Sequence, residues 1–411
     1  MDSAPRPLQG GREDLRRRPC RPGARDAGGA GRSARKQGDS AVSVVTLGDL
    51  AAAVQELAPS RLAEPWDNVG LQVGDPAAPV RSVLTAVEVT PAVLEEAVAR
   101  RVDGLVCHHP LLFEPLSSLS TESPIVRLAL ALHDHRIGLI VVHTNLDNSA
   151  HGPSAKLAEQ LGLTNAVPFP VTSRERLLKL VVFVPQEALL PVRDVLAQAG
   201  AGVIGNYSHC SFRSAGTGTF LPLTGASPSV GRVGEIQETA EFRLEMVLPE
   251  SASAAIVEAL RANHPYEEIA YDLYGLDNAG PARGPGRVGT LADPEPLSAF
   301  ADRVAVLLRP HPLRVVGARA RLVRRVAVMA GSGGDTVTQA AEAGADVLVT
   351  GDTKHHQAAL AAALELCLVD AGHHETEQSA PRTLAAHLRA NFGAQLTVTV
   401  AERDRSPYAP T

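Results

Sequence analysis

Side chains that can bind metals follow four separate apolar segments of this 411-residue chain. The polar segments are His108–Pro110, His143–Asp147, Gly351–His356 and Ala371–Glu377. In open α/β sheets, binding sites form beyond the carboxyl ends of the strands, so segments that are distant in the sequence can converge in one crevice. The sequence therefore predicts one site built from imidazole and carboxylate groups.

Two of these segments have a spacing that suits metal ligands. His108 and His109 are consecutive, so their side chains diverge and suit two neighbouring metal ions better than one. His373 and Glu377 lie one turn apart if their segment is helical, which places both side chains on one face. Asp147 supplies a bridging or charge-neutralising oxygen. These ligand types suit Zn, Fe, Mn, Co or Ni, and the sequence does not choose among them.

Each motif is weak when taken singly. A His-His-Pro turn, or a His and a Glu one helical turn apart, is common on protein surfaces without a metal. Their occurrence after separate predicted strands favours a metal site. His355, His356 and Asp352 compete as ligands, except that the charge of Lys354 would oppose a bound cation.

A glycine-rich segment follows the predicted strand Val326–Met329. The backbone N–H groups of Gly331, Gly333 and Gly334 could form a nest for an anion such as phosphate. The spacing matches neither the Walker motif nor GxGxxG, so a tight strand-to-helix turn remains the alternative. We predict these three glycines and His355 as substrate-binding residues.

The elements that must position these side chains alternate between short β-branched segments and longer Ala/Leu/Glu segments. One example is Ser82–Val89, which is followed by Pro91–Arg101 with Thr90 as a predicted N-cap. The alternation occupies the region before residue 173 and resumes after residue 285, and it predicts two α/β halves, each with a sheet covered by helices.

The intervening stretch has a different pattern. Leu177–Val184, Phe242–Leu248 and Ile269–Leu273 read as strands with two helices between them, which predicts an α+β insert. The polar, Gly/Pro-rich segment Asn278–Gly286 is typical of a linker. We predict a tail over residues 1–40, a split α/β domain over 41–173 and 286–411, and an insert over 174–285.

The formal net charge of −6 is unevenly distributed. Residues 1–40 hold ten Arg/Lys against five Asp/Glu, which is +5, so residues 41–411 carry −11. The same tail has no Val, Ile, Phe, Tyr or Trp, so it lacks the apolar area that offsets ordering entropy, and we expect it to be disordered. The acidic body argues against nucleic acid as a partner, because phosphate binding needs clustered Lys and Arg.

Cysteine usage and hydropathy indicate a soluble, cytoplasmic protein. The four cysteines are Cys20, Cys107, Cys210 and Cys367, and none has CxxC spacing. This argues against a disulfide framework and against a thiolate zinc site, and it fits a reducing compartment. No apolar run approaches the ~18–20 residues that a membrane-spanning helix needs.

Six ordered motifs of the chain resemble those of the GTP cyclohydrolase I type 2 family, the Nif-three-like dinuclear metal-binding proteins. They are EPWDNVGLQVGD (64–75), CHHPLLF (107–113), HTNLD (143–147), MAGSGGD (329–335), ADVLVTGDTKHH (345–356) and DAGHHETE (370–377). Within the insert, IGNYSHCSF (204–212), GTGTFLP (216–222) and NHPYEEIAYDLYGL (263–276) resemble the extra domain of the longer members, which is similar to the PII/CutA-like ferredoxin fold. The resemblance covers residues 43–403.

The resemblance implies two divalent metal ions per subunit, bound by His108, His109, Asp147, His373 and Glu377, with Glu377 bridging them, in a toroidal homohexamer. It also implies a metal-dependent hydrolase in which an activated water opens the guanine ring of GTP and releases formate. Another nucleotide or small molecule is an alternative substrate. A different class of function remains open: a metal-handling or regulatory hexameric scaffold whose insert senses a ligand or a partner.

Overall fold

The computed structural model describes residues 44–310 and 312–408. The predicted tail, residues 1–40, lies outside them. The helices of the described residues are α1 (Leu47–Leu57), α2 (Pro91–Ala99), α3 (Pro124–Asp134), α4 (Thr144–Asp147), α5 (Pro153–Gln160), α6 (Leu189–Gln198), α7 (Ser253–Asn263), α8 (Leu297–Leu308), α9 (Val337–Glu342), α10 (His355–Ala363), α11 (His373–Glu377) and α12 (Ser379–Phe392).

The strands form two large sheets and two smaller ones. They are β1 (Gly70–Val73), β2 (Ser82–Ala86), β3 (Gly104–Cys107), β4 (Gly138–Val141), β5 (Thr164–Phe169), β6 (Ser173–Arg174), β7 (Leu177–Pro185), β8 (Ser211–Phe220), β9 (Gln237–Pro249), β10 (Tyr271–Gly275), β11 (Ala282–Arg283), β12 (Gly286–Pro296), β13 (Arg314–Val316), β14 (Leu322–Ser332), β15 (Val347–Gly351), β16 (Cys367–Asp370) and β17 (Thr397–Val400). The predicted mixed α/β class is confirmed.

The first large sheet has the strand order β1-β4-β3-β2-β17. Strands β4, β3, β2 and β17 run parallel, and β1 is antiparallel to β4. Every residue of β3 and of β4 is buried, as expected for central parallel strands that are covered on both faces. The helix α2 begins as the sequence predicts, because the Thr90 side chain accepts a hydrogen bond from the Val93 N–H and Pro91 occupies the first turn.

The second large sheet has the order β13-β16-β15-β14-β12-β5, with β14, β15 and β16 parallel. The two halves exchange edge strands: β5 lies in the second sheet beside β12, and β17 lies in the first sheet beside β2. Leu384 and Leu388 of α12 share one apolar core with Leu50 of α1 and Val398 of β17. The exchange therefore anchors the C-terminal part of the chain to the first sheet.

The predicted insert contains its own antiparallel sheet, with the order β10-β7-β9-β8. Its elements follow one another as β7-α6-β8-β9-α7-β10, the β-α-β-β-α-β order of a ferredoxin-like unit. Leu180, Leu244 and Ile256 lie in a core that these strands share with α6 and α7. Within the described residues, none of the helices combines the length and the apolar character that crossing a membrane requires.

Candidate metal centre

The consecutive histidines lie at the carboxyl end of β3. The His108 N–H donates to the Ala86 carbonyl over 3.1 Å, and the His109 N–H donates to the Val87 carbonyl over 2.7 Å. These bonds continue the parallel ladder between β3 and β2, so the backbone of both histidines is held by the sheet. His108 is completely buried, whereas His109 is partly exposed.

Two short helices supply the other predicted ligands. Asp147 ends α4, directly after β4, and its N–H donates to the His143 carbonyl. His373 and Glu377 are the first and last residues of α11, so they lie one turn apart as predicted. Gly372 precedes α11 with φ +81°, a conformation that favours glycine and that turns the chain from β16 into this helix.

These elements bring the other four predicted ligands together around Glu377. Its Oε1 lies 3.7 Å from His108 Nε2, which is itself 3.6 Å from Asp147 Oδ1. Its Oε2 lies 2.9 Å from His109 Nε2 and 3.2 Å from His373 Nε2. The His109 and His373 Nε2 atoms are 3.3 Å apart. The two carboxylate oxygens thus face two different groups of donors.

The donor atoms fit a divalent cation. Within the described residues, His108 Nε2 is buried without a hydrogen-bond partner, which is costly unless another ligand satisfies it. His108 Nδ1–H donates to the Val142 carbonyl over 2.8 Å, so Nε2 carries the lone pair that a metal needs. His108, His109 and Glu377 each offer a ligand atom, and these atoms lie within 4.8 Å of one another. The structure therefore contains a possible metal site of at least these three residues.

The electrostatics of the cluster favour positive charge. Burial opposes the charged form of His108, but the carboxylates of Asp147 and Glu377 outweigh it and raise the pKa of His108 to about 9. Burial likewise opposes charge on His373, and Glu377 with Asp352 raises the pKa of His373 to about 9. Burial alone would raise the pKa of Glu377, but His108, His109 and His373 hold it well below its usual range. A bound cation would replace the protons that these carboxylates attract.

Asp352 contacts the centre through His373. The His373 Nδ1–H donates to Asp352 Oδ2 over 2.7 Å, which leaves Nε2 directed at Glu377. Such carboxylate partners fix the tautomer and the orientation of ligating imidazoles. The sequence singled out Asp352 as a possible ligand, and the structure gives it a contact with a predicted ligand. Its backbone φ of 52° is in the left-handed region that Asp tolerates.

His143 and Asp67 form a second imidazole–carboxylate pair that sequence reasoning did not select. The His143 ring lies 5.3 Å from the His108 ring and 5.6 Å from the His109 ring. Its Nδ1–H donates to Asp67 Oδ1 over 2.9 Å, and the Thr144 N–H donates to Asp67 Oδ2 over 3.0 Å. The sequence shows that His143 follows a predicted strand and that Asp67 lies in the polar segment with the single Trp, but neither observation indicates that the two residues meet.

Aromatic side chains border this part of the centre. Trp66 packs 6.3 Å from His143 and 5.8 Å from Phe113, measured between ring centroids, and it is 60% exposed. An exposed indole beside a histidine cluster offers a flat apolar surface to a ring-shaped ligand. This segment, Glu64–Asp75, therefore contributes both the Asp67 carboxylate and a wall.

The predicted substrate-binding residues have different surroundings. Gly331 lies against the centre, because a Cβ on it would be 2.3 Å from Glu377 Oε1, and its N–H donates to the Thr376 hydroxyl. The Gly333 N–H donates to the Thr350 hydroxyl over 2.8 Å. Gly334 packs against the Gln357 side chain, and His355 is exposed at the start of α10. Both the Gly331 and Gly333 N–H groups thus have partners inside the protein.

We expect Asp67→Asn to lower the free energy of unfolding by about 1–2 kcal/mol at pH 7. Burial opposes ionisation of Asp67, but hydrogen bonds from His143 and Thr144 outweigh it and lower its pKa from 3.8 to about 2. Because the folded-state pKa is the lower one, this stabilisation is present above about pH 4 and is lost as the pH falls towards 2. Urea unfolding at several pH values measures it. Asp75→Asn, in the same segment, is the control, and equal stability of both variants at pH 7 would contradict the prediction.

Relatives of this chain share most of its length. The "GTP cyclohydrolase 1 type 2 homolog" of Bacillus subtilis is 38% identical over 358 residues, which are 86% of this chain and 95% of the relative. The protein of the same name from Mycobacterium tuberculosis is 40% identical over 89% of this chain and 97% of its own length. The crystal structure of a Bacillus cereus protein related to NIF3 superposes with a TM-score of 0.83 at 36% identity, over 90% of this chain and all of that one.

A family model matches nearly the same part of the chain as these relatives. The model is that of Duf34/NIF3, NGG1p interacting factor 3, and it matches residues 45–407. The match includes all five predicted ligands and the Asp67–His143 pair. With this match and the relatives above, the chain belongs to the DUF34/NIF3 family.

Proposed function

We propose that this chain is a metal-dependent hydrolase whose centre holds two divalent cations. The main support for this proposal is the position of the Glu377 carboxylate. Its Oε1 faces His108 Nε2, which Asp147 also approaches, and its Oε2 faces the Nε2 atoms of His109 and His373. A carboxylate with one oxygen for each of two donor groups is suited to bridge two cations.

Each donor group would hold one cation, with Glu377 shared between them. His108 and Asp147 belong to the buried group, and His109 with His373 belongs to the more exposed group. Such a pair of cations would lower the pKa of a water and polarise an oxygen-bearing substrate. Imidazole and carboxylate ligands leave Zn, Fe, Mn, Co and Ni as candidates.

His143 is the residue that we propose to move a proton at the substrate. Asp67 holds the Nδ1–H of His143, so Nε2 is the nitrogen that can accept or return a proton. The His143 ring packs beside both His108 and His109 and also against Trp66. A proton acceptor, two donor groups for cations and an aromatic wall thus lie together beyond the carboxyl ends of β3 and β4.

GTP, or another nucleotide, is the substrate that we propose. The support is that close relatives carry the name "GTP cyclohydrolase 1 type 2 homolog". Opening the guanine ring needs one water to add at C8 and give a formamide, and a second water to release formate. Residues 41–411 carry a net charge of −11 and contain few lysines. Bound cations would therefore supply the positive charge that complements the phosphates.

Formate release from GTP tests this function. Chain loaded separately with each of the five metals is expected to release formate, and His108→Ala is expected to abolish release together with most of the bound metal. His133→Ala, an exposed histidine in α3, is the control and should behave as the parent. Metal-loaded chain that forms no formate from GTP would contradict GTP as the substrate, and failure to hydrolyse any other nucleotide as well would favour the metal-handling or regulatory scaffold.

We further propose that the chain assembles as a homohexamer and works in the cytoplasm. The hexamer, like a PII/CutA-like character of the insert, is supported by the motif resemblance alone. The cytoplasm is supported by the free thiols of Cys107 and Cys367, which are buried singly, because such thiols persist in reducing compartments. Light scattering should give six times the chain mass of 43.1 kDa, and a monomer mass would reject the hexamer.

A further inference from the structure

Two sequence motifs of the insert that the metal centre does not use converge on one cavity. Residues 216–222 form the end of β8 and the loop after it, and residues 263–276 lead from α7 into β10. Both segments line a cavity of about 460 Å³. Phe183 of β7 and Glu241 of β9 form its floor. Val182 and Leu244 of the same strands face the helices α6 and α7. Phe183 and Glu241 lie an odd number of residues from them, so they point to the opposite face of the sheet.

The wall of this cavity is mainly apolar. Its apolar lining includes Phe183, Phe220, Leu221, Pro222, Ala226 and Ala270. A volume of this size and a lining of this kind suit a ligand with a flat apolar ring, since aromatic and aliphatic side chains bind such a body by excluding water. The cavity therefore resembles a small-molecule site more than an ion site.

The charged groups that line the cavity are all negative. They are Glu241, Glu267 and Glu268, and the lining contains no Lys or Arg. Glu267 Oε1 accepts a hydrogen bond from the Ser227 N–H over 2.8 Å, which ties the loop above the cavity to its rim. Within the described residues these carboxylates do not form a group with the spacing of metal ligands. A ligand that complements them carries positive charge on an organic group.

A buried hydroxyl lies beside the Glu241 carboxylate at the same place. Tyr266 Oη is buried, and burial together with a hydrogen bond to Glu241 raises the pKa of Tyr266 to about 12, so the phenol stays neutral and keeps its proton. The phenol oxygen keeps lone pairs that can accept a hydrogen bond from an ammonium group that also contacts Glu241.

The backbone is adapted to the Glu241 carboxylate. Gly218 of β8 lies beside it, and a Cβ at that position would be 2.1 Å from Glu241 Oε2. A glycine here lets the carboxylate lie flat over the neighbouring strand and reach the cavity. Glu241 forms no ion pair within the described residues, in contrast to Glu245 on the same strand, which contacts Arg243 and Lys179.

From these observations we propose that the cavity of the insert binds a small organic cation, namely a protonated amine on a flat apolar ring. The amine pairs with the Glu241 carboxylate and the Tyr266 hydroxyl, and the ring packs between Phe183 and the loop at Leu221. A charge-assisted hydrogen bond to Glu241 in a partly buried cavity provides the selectivity for a cation. The site stands apart from the metal centre and does not depend on the function proposed for it.

Calorimetric titration of the full chain with tryptamine and with indole-3-propionate tests the proposal. The two probes share an indole ring and differ in the sign of their charge, so we expect binding of tryptamine and little or none of the anion. Glu241→Gln should weaken tryptamine binding by about 10- to 100-fold, the usual loss for a hydrogen bond to a charged group. Tyr266→Phe should weaken it by about 3- to 10-fold, because it removes the hydroxyl oxygen that accepts a hydrogen bond from the amine.

Matched variants separate a binding role from a structural one. Glu245→Gln removes a carboxylate from the same face of β9 but outside the cavity, and it should bind tryptamine as the parent does. Ala270→Phe fills the cavity and should abolish binding while the bound metal content is unchanged. The proposal is overturned if tryptamine does not bind, if both probes bind equally, or if Glu241→Gln and Glu245→Gln have the same affinity.

Discussion

Glu377→Gln is expected to lower the affinity for divalent metal by at least about 100-fold. Replacing a partner that only orients a ligand usually costs ~10–100-fold in metal affinity, and Glu377 contacts both donor groups directly. Glutamine keeps the size of the side chain but removes the negative charge, and its NH₂ group cannot act as a ligand. Metal per chain after dialysis against a weak chelator measures the loss, and formate release from GTP should fall with it.

Glu375→Gln provides the matched control for this experiment. Glu375 is two residues earlier in α11 and is also buried, but its carboxylate lies beside Gly372 and outside the donor cluster. We expect this variant to keep its metal. If Glu377→Gln retained two metal ions per chain at the affinity of the parent, the bridging role of Glu377 would be wrong, whatever the substrate of the protein is.

Apolar strands and the ligands that follow them were the most predictable part of the molecule. The predicted strand Ser82–Val89 begins at the first residue of β2 and is three residues too long. The strand β3 ends directly before His108, and β4 ends two residues before His143. Buried parallel strands consist of continuous apolar runs, so their ends are visible as the first polar residues, here His108 and His143. Because such ends meet at one edge of a sheet, the sequence alone also predicts that Asp147 and Glu377 lie near one another.

Elements defined by distant partners were less predictable. The strand β8, Ser211–Phe220, was not predicted because it is rich in Ser, Gly and Thr and mostly exposed. It forms a strand because it pairs with β9 and not because of its own hydrophobicity. The exchange of β5 and β17 between the two large sheets was not predicted for the same reason, because the sequence of a short edge strand does not indicate which strand it pairs with. Topology of this kind depends on packing across hundreds of residues.

The Asp67–His143 pair shows a similar limit at the site itself. The two residues are 76 positions apart, and the Asp67 side chain is fully buried although its segment reads as a polar loop. Burial of a carboxylate is favourable only when several donors meet it, and here His143 and Thr144 supply them. Local sequence does not reveal such donors, so an acidic residue in a loop gives no sign that it will be buried.

Gly331→Ala is expected to disrupt the centre without replacing any of its proposed ligands. A Cβ at this position would lie 2.3 Å from Glu377 Oε1 and 3.3 Å from His373 Nε2, so the bridging carboxylate must move. Oε1 is the oxygen that faces His108. Since a displacement of this oxygen removes one donor from the buried group, we expect the metal affinity to fall at least about ten-fold. Metal content measures the loss of affinity, and chemical unfolding measures the loss of stability.

Gly162→Ala separates the steric effect on the centre from backbone strain. Gly162 has φ +70° and Gly331 has φ +71°, so alanine meets the same unfavourable left-handed conformation at both positions, at about 1–2 kcal/mol. A Cβ on Gly162 meets no atom within 4 Å, whereas one on Gly331 meets Glu377. Gly162→Ala should therefore lose stability but keep its metal. Equal metal content in the two variants would mean that Glu377 can move without loss of the site, which contradicts a role for Gly331 in shaping it.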